Sequence, residues 1–340
     1  MPGPRQVVFV VVQVVVRVLL VVSLFDAASP AQTSLNDVHI MPREAPTLAN
    51  SISPLGMVED SVLHKIKTDV KLVLVPVSVT DPEHRLITGL SAGNFQLYEG
   101  NTAQSIRHFS SEDVPISIGV ILDASGSMRD KMERVREALN QFCREANPQD
   151  EFFMIVFSNE PHLVNDFTTS PDDLQKELLF TQPKGRTALL DAIYMGLHKL
   201  KDARYGKKAL LIISDGGDNH SRYSEKEIKS AAKESDVMIY GIGTFDRYVP
   251  TLEESRGPAL LSEIAEPTGG RAFTLENPQE LPAVARYIGK ELRTQYVLGY
   301  RPENLRKDGK WHKIQVKLRL PRKWSFLRAH AKTGYYAPAE

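Results

Sequence analysis

Three separated stretches carry the densest oxygen chemistry in the chain. Asp123-Ala124-Ser125-Gly126-Ser127 offers one carboxylate and two hydroxyls, with Gly126 between the serines to let the backbone turn tightly. Carboxylates and hydroxyls are hard donors, and their clustering in a loop suits Mg²⁺ or Mn²⁺ rather than Zn²⁺ or Cu²⁺. Three side chains fall short of an octahedral shell, so other segments must contribute. Two stretches are placed to do so. Gly185-Arg186-Thr187 puts the Thr187 hydroxyl at a helix start, and Ser214-Asp215-Gly216-Gly217-Asp218-Asn219 supplies Asp215. The bland alternative for Asp123, Ser125 and Ser127 is a polar strand-to-helix loop with a helix cap.

The elements around these stretches set where they can meet. Ile116–Leu122 (ISIGVIL) and Lys208–Ile213 (KALLII) read as buried strands, so Asp123 and Asp215 both emerge at a strand's carboxyl end. Met132, Val135, Leu139, Phe142 and Ala146 repeat at helical spacing within a helix over Met128–Ala146. Strands at 152–157, 162–167, 237–242 and 270–274 alternate with helices at 171–180, 188–200, 224–234, 259–266 and 279–294. This rhythm predicts an α/β fold, a doubly wound, mostly parallel sheet with helices on both faces. Ligands of such sheets bind beyond the carboxyl ends of the strands. All three oxygen-bearing stretches converge there.

DASGS at 123–127, GRTALLDAI at 185–193 and ISDGGDN at 213–219 resemble, in order and spacing, the three loops of the von Willebrand factor type A (VWFA) domain, a Rossmann-like fold. The resemblance covers about residues 113–294. VSVTD at 77–81, the stretch 89–109 and QYVLGYRP at 295–302 extend it to a bacterial VWFA-related subfamily of exported proteins, described largely from acidobacteria. In that family the loops form a metal-ion-dependent adhesion site (MIDAS). The resemblance implies that Ser125, Ser127 and Thr187 bind the metal directly, while Asp123 and Asp215 act wholly or partly through waters. It further implies Mg²⁺, with Mn²⁺ or Ca²⁺ as alternatives, and a helix over 279–294 that shifts when ligand binds. Neutral direct ligands leave the ion electrophilic, so a water on it can give way to a partner's carboxylate.

Composition bounds the rest. The chain has 340 residues, 42% apolar and 25% charged, enough for about two domains with a full core. Lys+Arg and Asp+Glu both number 42, so no global field would hold the chain on nucleic acid or an anionic membrane. A single cysteine excludes an intramolecular disulfide framework and cysteine-based zinc sites. Residues 1–31 pair Arg5 with an apolar run from Val7 to Phe25 and small residues at Ser29 and Ala31, as in a signal peptide; an uncleaved anchor is the second reading. Either way the remaining chain is exported, to the periplasm or beyond.

Residues 32–67 read as a linker and 68–112 as an accessory β segment. That segment contains a strand over Val70–Thr80, with Pro76 pointing to a sheet edge, and a turn at Glu99-Gly100-Asn101-Thr102. The VWFA domain is expected over 113–295. Residues 296–340 form a C-terminal β segment in which Ile314, Val316, Leu318 and Leu320 face inward and Lys313, Gln315, Lys317 and Arg319 outward. The two β segments are expected to pack together as one flanking unit.

Weaker signals point elsewhere. Gly89-Leu90-Ser91-Ala92-Gly93 matches G-x-S-x-G but precedes a strand, whereas a nucleophile elbow needs a helix. His220 lies beside the Asp215 loop. Cys143 reads as a buried, inert thiol. Residues 301–332 hold eleven Lys/Arg against Glu303 and Asp308, with Trp311 and Trp324 interleaved; a solvated strand face is the plainer reading, binding of an anionic polymer or membrane headgroup the sharper.

The expectation is therefore a non-enzymatic, extracytoplasmic, metal-dependent binding module. Asp123, Ser125, Ser127, Thr187 and Asp215 hold the ion, and an acidic side chain of a protein partner completes it. Nucleic acid is not expected as a partner, and membrane attachment only through residues 7–25 if they remain. The rivals are a structural envelope component with a bracing metal and a metal-assisted hydrolase.

Overall fold

Parallel strands buried on both faces read as continuous apolar runs, and the centre of this molecule is built from them. The computed structural model describes residues 72–215, 217–245, 252–302 and 308–337. The expected signal peptide or anchor at 1–31 and linker at 32–67 lie outside the described residues.

The central sheet has the order β10-β9-β8-β5-β6-β7. Its members are β5 (Ser117–Asp123), β6 (Glu151–Phe157), β7 (Pro161–Thr168), β8 (Lys208–Ser214), β9 (Val237–Thr244) and β10 (Ala272–Leu275). Five strands run parallel, and β7 pairs antiparallel to β6 at one edge. The fold is the expected mostly parallel α/β sheet, with one reversed edge strand.

Helices cover both faces. On one lie α1 (Met132–Arg144), α2 (Pro171–Phe180) and α6 (Leu281–Arg293), packing Met132, Val135, Leu139, Phe142, Leu174 and Ile288 onto β5, β8 and β9. On the other lie α3 (Leu189–Lys199), α4 (Glu225–Glu234) and α5 (Leu252–Ala265), packing Leu189, Ile193, Ile228 and Leu261. Each such side chain, taken from water, stabilises the fold by about 1.5–3 kcal/mol. Helix α1 begins later than its apolar repeat suggests, because Gly126–Lys131 forms a tighter 3₁₀ turn before it. Ser224 caps α4 by accepting from the Glu227 backbone N–H while Glu227 accepts from Ser224 N–H in return.

The remaining strands form two four-stranded sheets around a third core of Val75, Val77, Leu97, Tyr296, Leu298 and Ile314. One has the order β13-β1-β11-β4, from β1 (Val73–Thr80), β4 (Ile106–Ser110), β11 (Tyr296–Tyr300) and β13 (Arg328–Ala331). The other has the order β14-β12-β2-β3, from β2 (Phe95–Glu99), β3 (Thr102–Gln104), β12 (Trp311–Leu318) and β14 (Gly334–Tyr336). Strands that precede the central sheet thus pair with strands that follow it: β1 with β11 and β13, and β2 with β12.

The expectation that Pro76 marks a sheet edge is corrected. Strand β1 lies between β13 and β11. The β13 ladder begins only at Val77, however, so Pro76, opposite Val297, has a neighbouring strand on one side alone and its missing N–H breaks no second ladder. These sheets join the amino-terminal end of the parallel strands: Lys332 pairs with Asp236, and Thr333 N–H donates to the Pro267 carbonyl. The opposite, carboxyl end carries the oxygen-bearing loops.

Candidate functional site

Strand β5 is buried along its whole length and delivers Asp123, fully buried, to the carboxyl end of the sheet. Its neighbour β8 delivers Asp215, 1% exposed. The Asp123 carboxylate accepts from the Ser125 backbone N–H at 2.8 Å and from the Ser214 hydroxyl at 2.5 Å. Ser127 Oγ lies 3.1 Å from Ser125 Oγ and donates to Asp215 Oδ1 at 2.8 Å. Ser125, Ser127 and Asp215 are therefore joined directly, and Asp123 joins them through the Ser125 backbone and the residue preceding Asp215.

Thr187, 5% exposed, enters from the third loop. Its N–H donates to Asn219 Oδ1 at 2.9 Å, and its carbonyl accepts from Asn219 N–H at 3.0 Å, which ties it to the Asp215 loop. Gly126 N–H donates to the Gly185 carbonyl at 3.2 Å and Lys184 N–H to the Ala124 carbonyl at 2.8 Å, tying it to the first loop. Gly185 sits at φ +87°, and a Cβ there would lie 2.7 Å from Asn159 Oδ1, which itself accepts from Arg186 N–H. Glycine is required at that turn.

Burial, and then the charge of Asp215, raises the Asp123 carboxyl to about 6. Two buried carboxylates converging on hydroxyls form a site that favours a cation. The donor set fits a hard divalent ion, since all five side chains offer oxygen and neither sulfur nor imidazole is among them. Among the described residues no three His, Cys, Asp or Glu gather as a metal-binding group, so the hydroxyls are what distinguish this cluster.

Several participants are silent in the motifs. Lys131 Nζ donates to Asp215 Oδ2 at 2.5 Å. It ends the 3₁₀ turn that begins at Gly126, directly before α1. Buried Asp191 braces the outer loop, accepting from Arg222 N–H, Tyr223 N–H and Arg222 Nε. Asp218 accepts from Leu190 N–H and Ser221. His220 is exposed, with Nδ1 3.5 Å from Arg186 Nη1 at the rim.

The other signalled residues lie away from this cluster. Ser91 caps a short turn before β2, its hydroxyl on Asn94 Oδ1 at 3.0 Å. Cys143 is half-buried on α1, and burial pushes its thiol up to about 12, far from the thiolate that reactivity needs.

Residues 118–217, which include all three loops, match the von Willebrand factor type A domain. This chain carries a type A domain. The chain is 29% identical over 141 residues to bovine (Bos taurus) inter-alpha-trypsin inhibitor heavy chain H4, covering 38% of this chain and 15% of that protein. It is 23% identical over 184 residues to an uncharacterized protein of Borreliella burgdorferi, covering 47% of this chain and 54% of the other. The chain thus spans at most about half the length of these relatives. Among solved structures, a von Willebrand factor type A protein from Catenulispora acidiphila is similar over 80% of this chain and 64% of its own, with TM-score 0.46 and 14% identity. Around the type A domain's oxygen cluster the surface carries basic and apolar side chains, with Asp130 exposed beside Arg129. Arg129, Lys184 and Arg186 are exposed or half-exposed in its loops, and α2 ends at the same pole with Leu179 67% and Phe180 80% exposed.

Proposed function

We propose that the type A domain is an extracytoplasmic binding module. It engages a protein partner through a divalent cation held by Asp123, Ser125, Ser127, Thr187 and Asp215, with Mg²⁺ as the ion and Mn²⁺ or Ca²⁺ as substitutes. The bound ion supplies a Lewis-acidic position for a carboxylate of the partner. The observation that carries this reading is the Ser127 hydroxyl bridging Ser125 and Asp215, which brings oxygen donors from two strands of the sheet into one contact.

Each residue has a part in that role. Neutral Ser125, Ser127 and Thr187 contribute donors without quenching the charge of the ion. Asp123 and Asp215 hold the hydroxyls in place and balance that charge from buried positions. The rim suits an acidic partner segment with an apolar neighbour. Arg186 and Lys184 attract the carboxylate, and Leu179 and Phe180 leave a large apolar area uncovered beside the loops. Helix α2 climbs from the amino-terminal pole after β7 descends, so its last turn stands within a few residues of Lys184, whose N–H is bonded to the Ala124 carbonyl.

Binding without turnover is favoured because, among the described residues, neither signalled candidate for turnover is placed for it: Ser91 precedes β2, away from the cluster, and His220 faces Arg186. The test is a pull-down from native envelope with the full chain, with and without EDTA, repeated with Asp123→Ala. We expect one set of partners to be lost with EDTA and with the variant alike, while the circular dichroism spectrum is kept. Partners retained in EDTA would favour a purely bracing metal, and unchanged Mg²⁺ affinity of Asp123→Ala by calorimetry would reject the ligand assignment. EDTA-sensitive turnover of ester or phosphate substrates would instead favour the hydrolase.

A further inference from the structure

We propose that the turn between β12 and β13 is a membrane-docking surface that recognises bilayers rich in anionic phospholipid. It is built from a different part of the chain than the type A site and stands or falls independently of it.

No Asp or Glu occurs from Gly309 through Ala339. In space, Lys317 and Arg319 follow the outward face of β12, Arg322 and Lys323 occupy the turn, and Arg328 opens β13; all five are exposed. None of them forms an ion pair among the described residues, in contrast to Lys332, which is paired with Asp236. Unpaired cations this close repel one another, and an anionic surface relieves that repulsion. Each Lys or Arg near such a surface strengthens binding about fivefold at moderate ionic strength.

Apolar surface decides which anion. Trp324 and Phe326 stand 43% and 44% exposed on the turn, with ring centroids 5.9 Å apart. Lys323 Nζ lies 5.8 Å from the Trp324 ring. Behind the turn, Val316, Leu318, Leu320, Leu327 and Ala329, together with Lys317 and Ser325, line a groove of about 340 Å³ that Trp324 borders. A nucleic acid or acidic polysaccharide would use the cations but leave the aliphatic side chains of the groove and the exposed Phe326 ring uncovered. A phospholipid uses both, with phosphate against the cations, aromatic rings at the headgroup boundary and acyl carbon in the groove.

The topology agrees. The accessory sheets join the amino-terminal end of the parallel strands, as Lys332–Asp236 and the Thr333 N–H to Pro267 carbonyl bond record, whereas the oxygen cluster lies at the carboxyl end. Docking through the turn therefore leaves the type A loops facing away from the bilayer.

The test uses tryptophan fluorescence of the full chain on vesicles of brominated phosphatidylglycerol with phosphatidylcholine, and on brominated phosphatidylcholine alone, with EDTA present throughout. We expect emission to shift to the blue and be quenched only on the anionic vesicles, and Trp324→Phe to remove that change. The other tryptophan, Trp311, stays in that variant, so the difference between the two proteins reports the Trp324 indole alone, and retention of residues 7–25 does not produce it. Arg322→Gln/Lys323→Gln/Arg328→Gln should weaken partitioning about a hundredfold, and 0.5 M salt should weaken the wild type in the same direction. Equal quenching on both vesicles, or none on either, overturns the proposal. Capture by polyglutamate or heparin without quenching on vesicles also overturns it, and assigns the turn to an anionic polymer.

Discussion

Lys131 and Asp215 form an ion pair at the edge of the oxygen cluster, Nζ to Oδ2 2.5 Å, with the carboxylate side chain buried and the ammonium side chain 23% exposed. The lysine is a tethered cation on one of the carboxylates proposed to hold the metal. A divalent ion entering the cluster meets its positive charge. Lys131→Met should therefore raise Mg²⁺ affinity roughly tenfold by isothermal calorimetry, since removing a nearby like charge is worth on the order of 1–2 kcal/mol at a partly exposed site. An unchanged or lowered affinity would show that Lys131 supports the ion rather than competing with it.

Leu179 and Phe180 offer a separate lever on partner binding. They are exposed, so Leu179→Ser with Phe180→Ser should leave stability within about 0.5 kcal/mol. Where a partner covers them, their loss should weaken its binding about tenfold or more. Mg²⁺ affinity should not move. A double variant that holds its partner as tightly as the wild type would remove this rim from the interface.

Helix α6 is fastened by a buried ion pair between Arg271 and Glu291. Glu291 is fully buried and its second oxygen accepts from the Tyr240 hydroxyl at 3.2 Å, while Arg271 also donates to Tyr287. Any displacement of α6 on ligand binding has to break or carry this cluster. Glu291→Ala strands a buried guanidinium and should cost about 3–5 kcal/mol in urea unfolding. Adding Arg271→Met should recover most of that loss. A double variant as unstable as the single one would mean that packing, and not the orphaned charge, dominates.

His330 makes stability depend on pH. Burial, followed by the charges of Arg271, His84 and Arg328, lowers its imidazolium from 6.5 to about 4, and its Nε2 lies 3.0 Å from Thr80 Oγ1. Below pH 6.5 the unfolded chain takes up a proton that the folded chain refuses. Stability present above that pH is therefore lost as pH falls toward 4, by on the order of 2–3 kcal/mol. The urea midpoint measured from pH 7 to 4.5 should fall, and His330→Gln should flatten that slope. An equal slope in the variant would assign it to other groups.

The three oxygen-bearing loops and the α/β rhythm were legible because each rests on local pattern. Buried strands such as 116–122 and 208–213 are continuous apolar runs, and Gly126 and Gly185 mark turns that few other residues can make. Element ends shifted where tertiary contacts chose them. The 3₁₀ turn at Gly126–Lys131 delays α1, and β9 runs on to Thr244 beside β10.

By itself the sequence determined which residue types stand at the carboxyl ends of β5 and β8, because strand length and loop position follow from short-range periodicity. It also determined the alternation along β12, where Lys317 and Arg319 are exposed and Ile314 is buried. Only the tertiary structure decided that Ser127 touches Asp215, 88 residues away, and that Lys131 sits against the same carboxylate. It alone set Pro76 beyond the reach of β13 and placed Trp324 and Lys317 on one groove beneath the turn that carries Phe326, Arg322 and Lys323. Such contacts depend on strand order and on register between distant segments, and period-two or period-3.6 patterns carry neither.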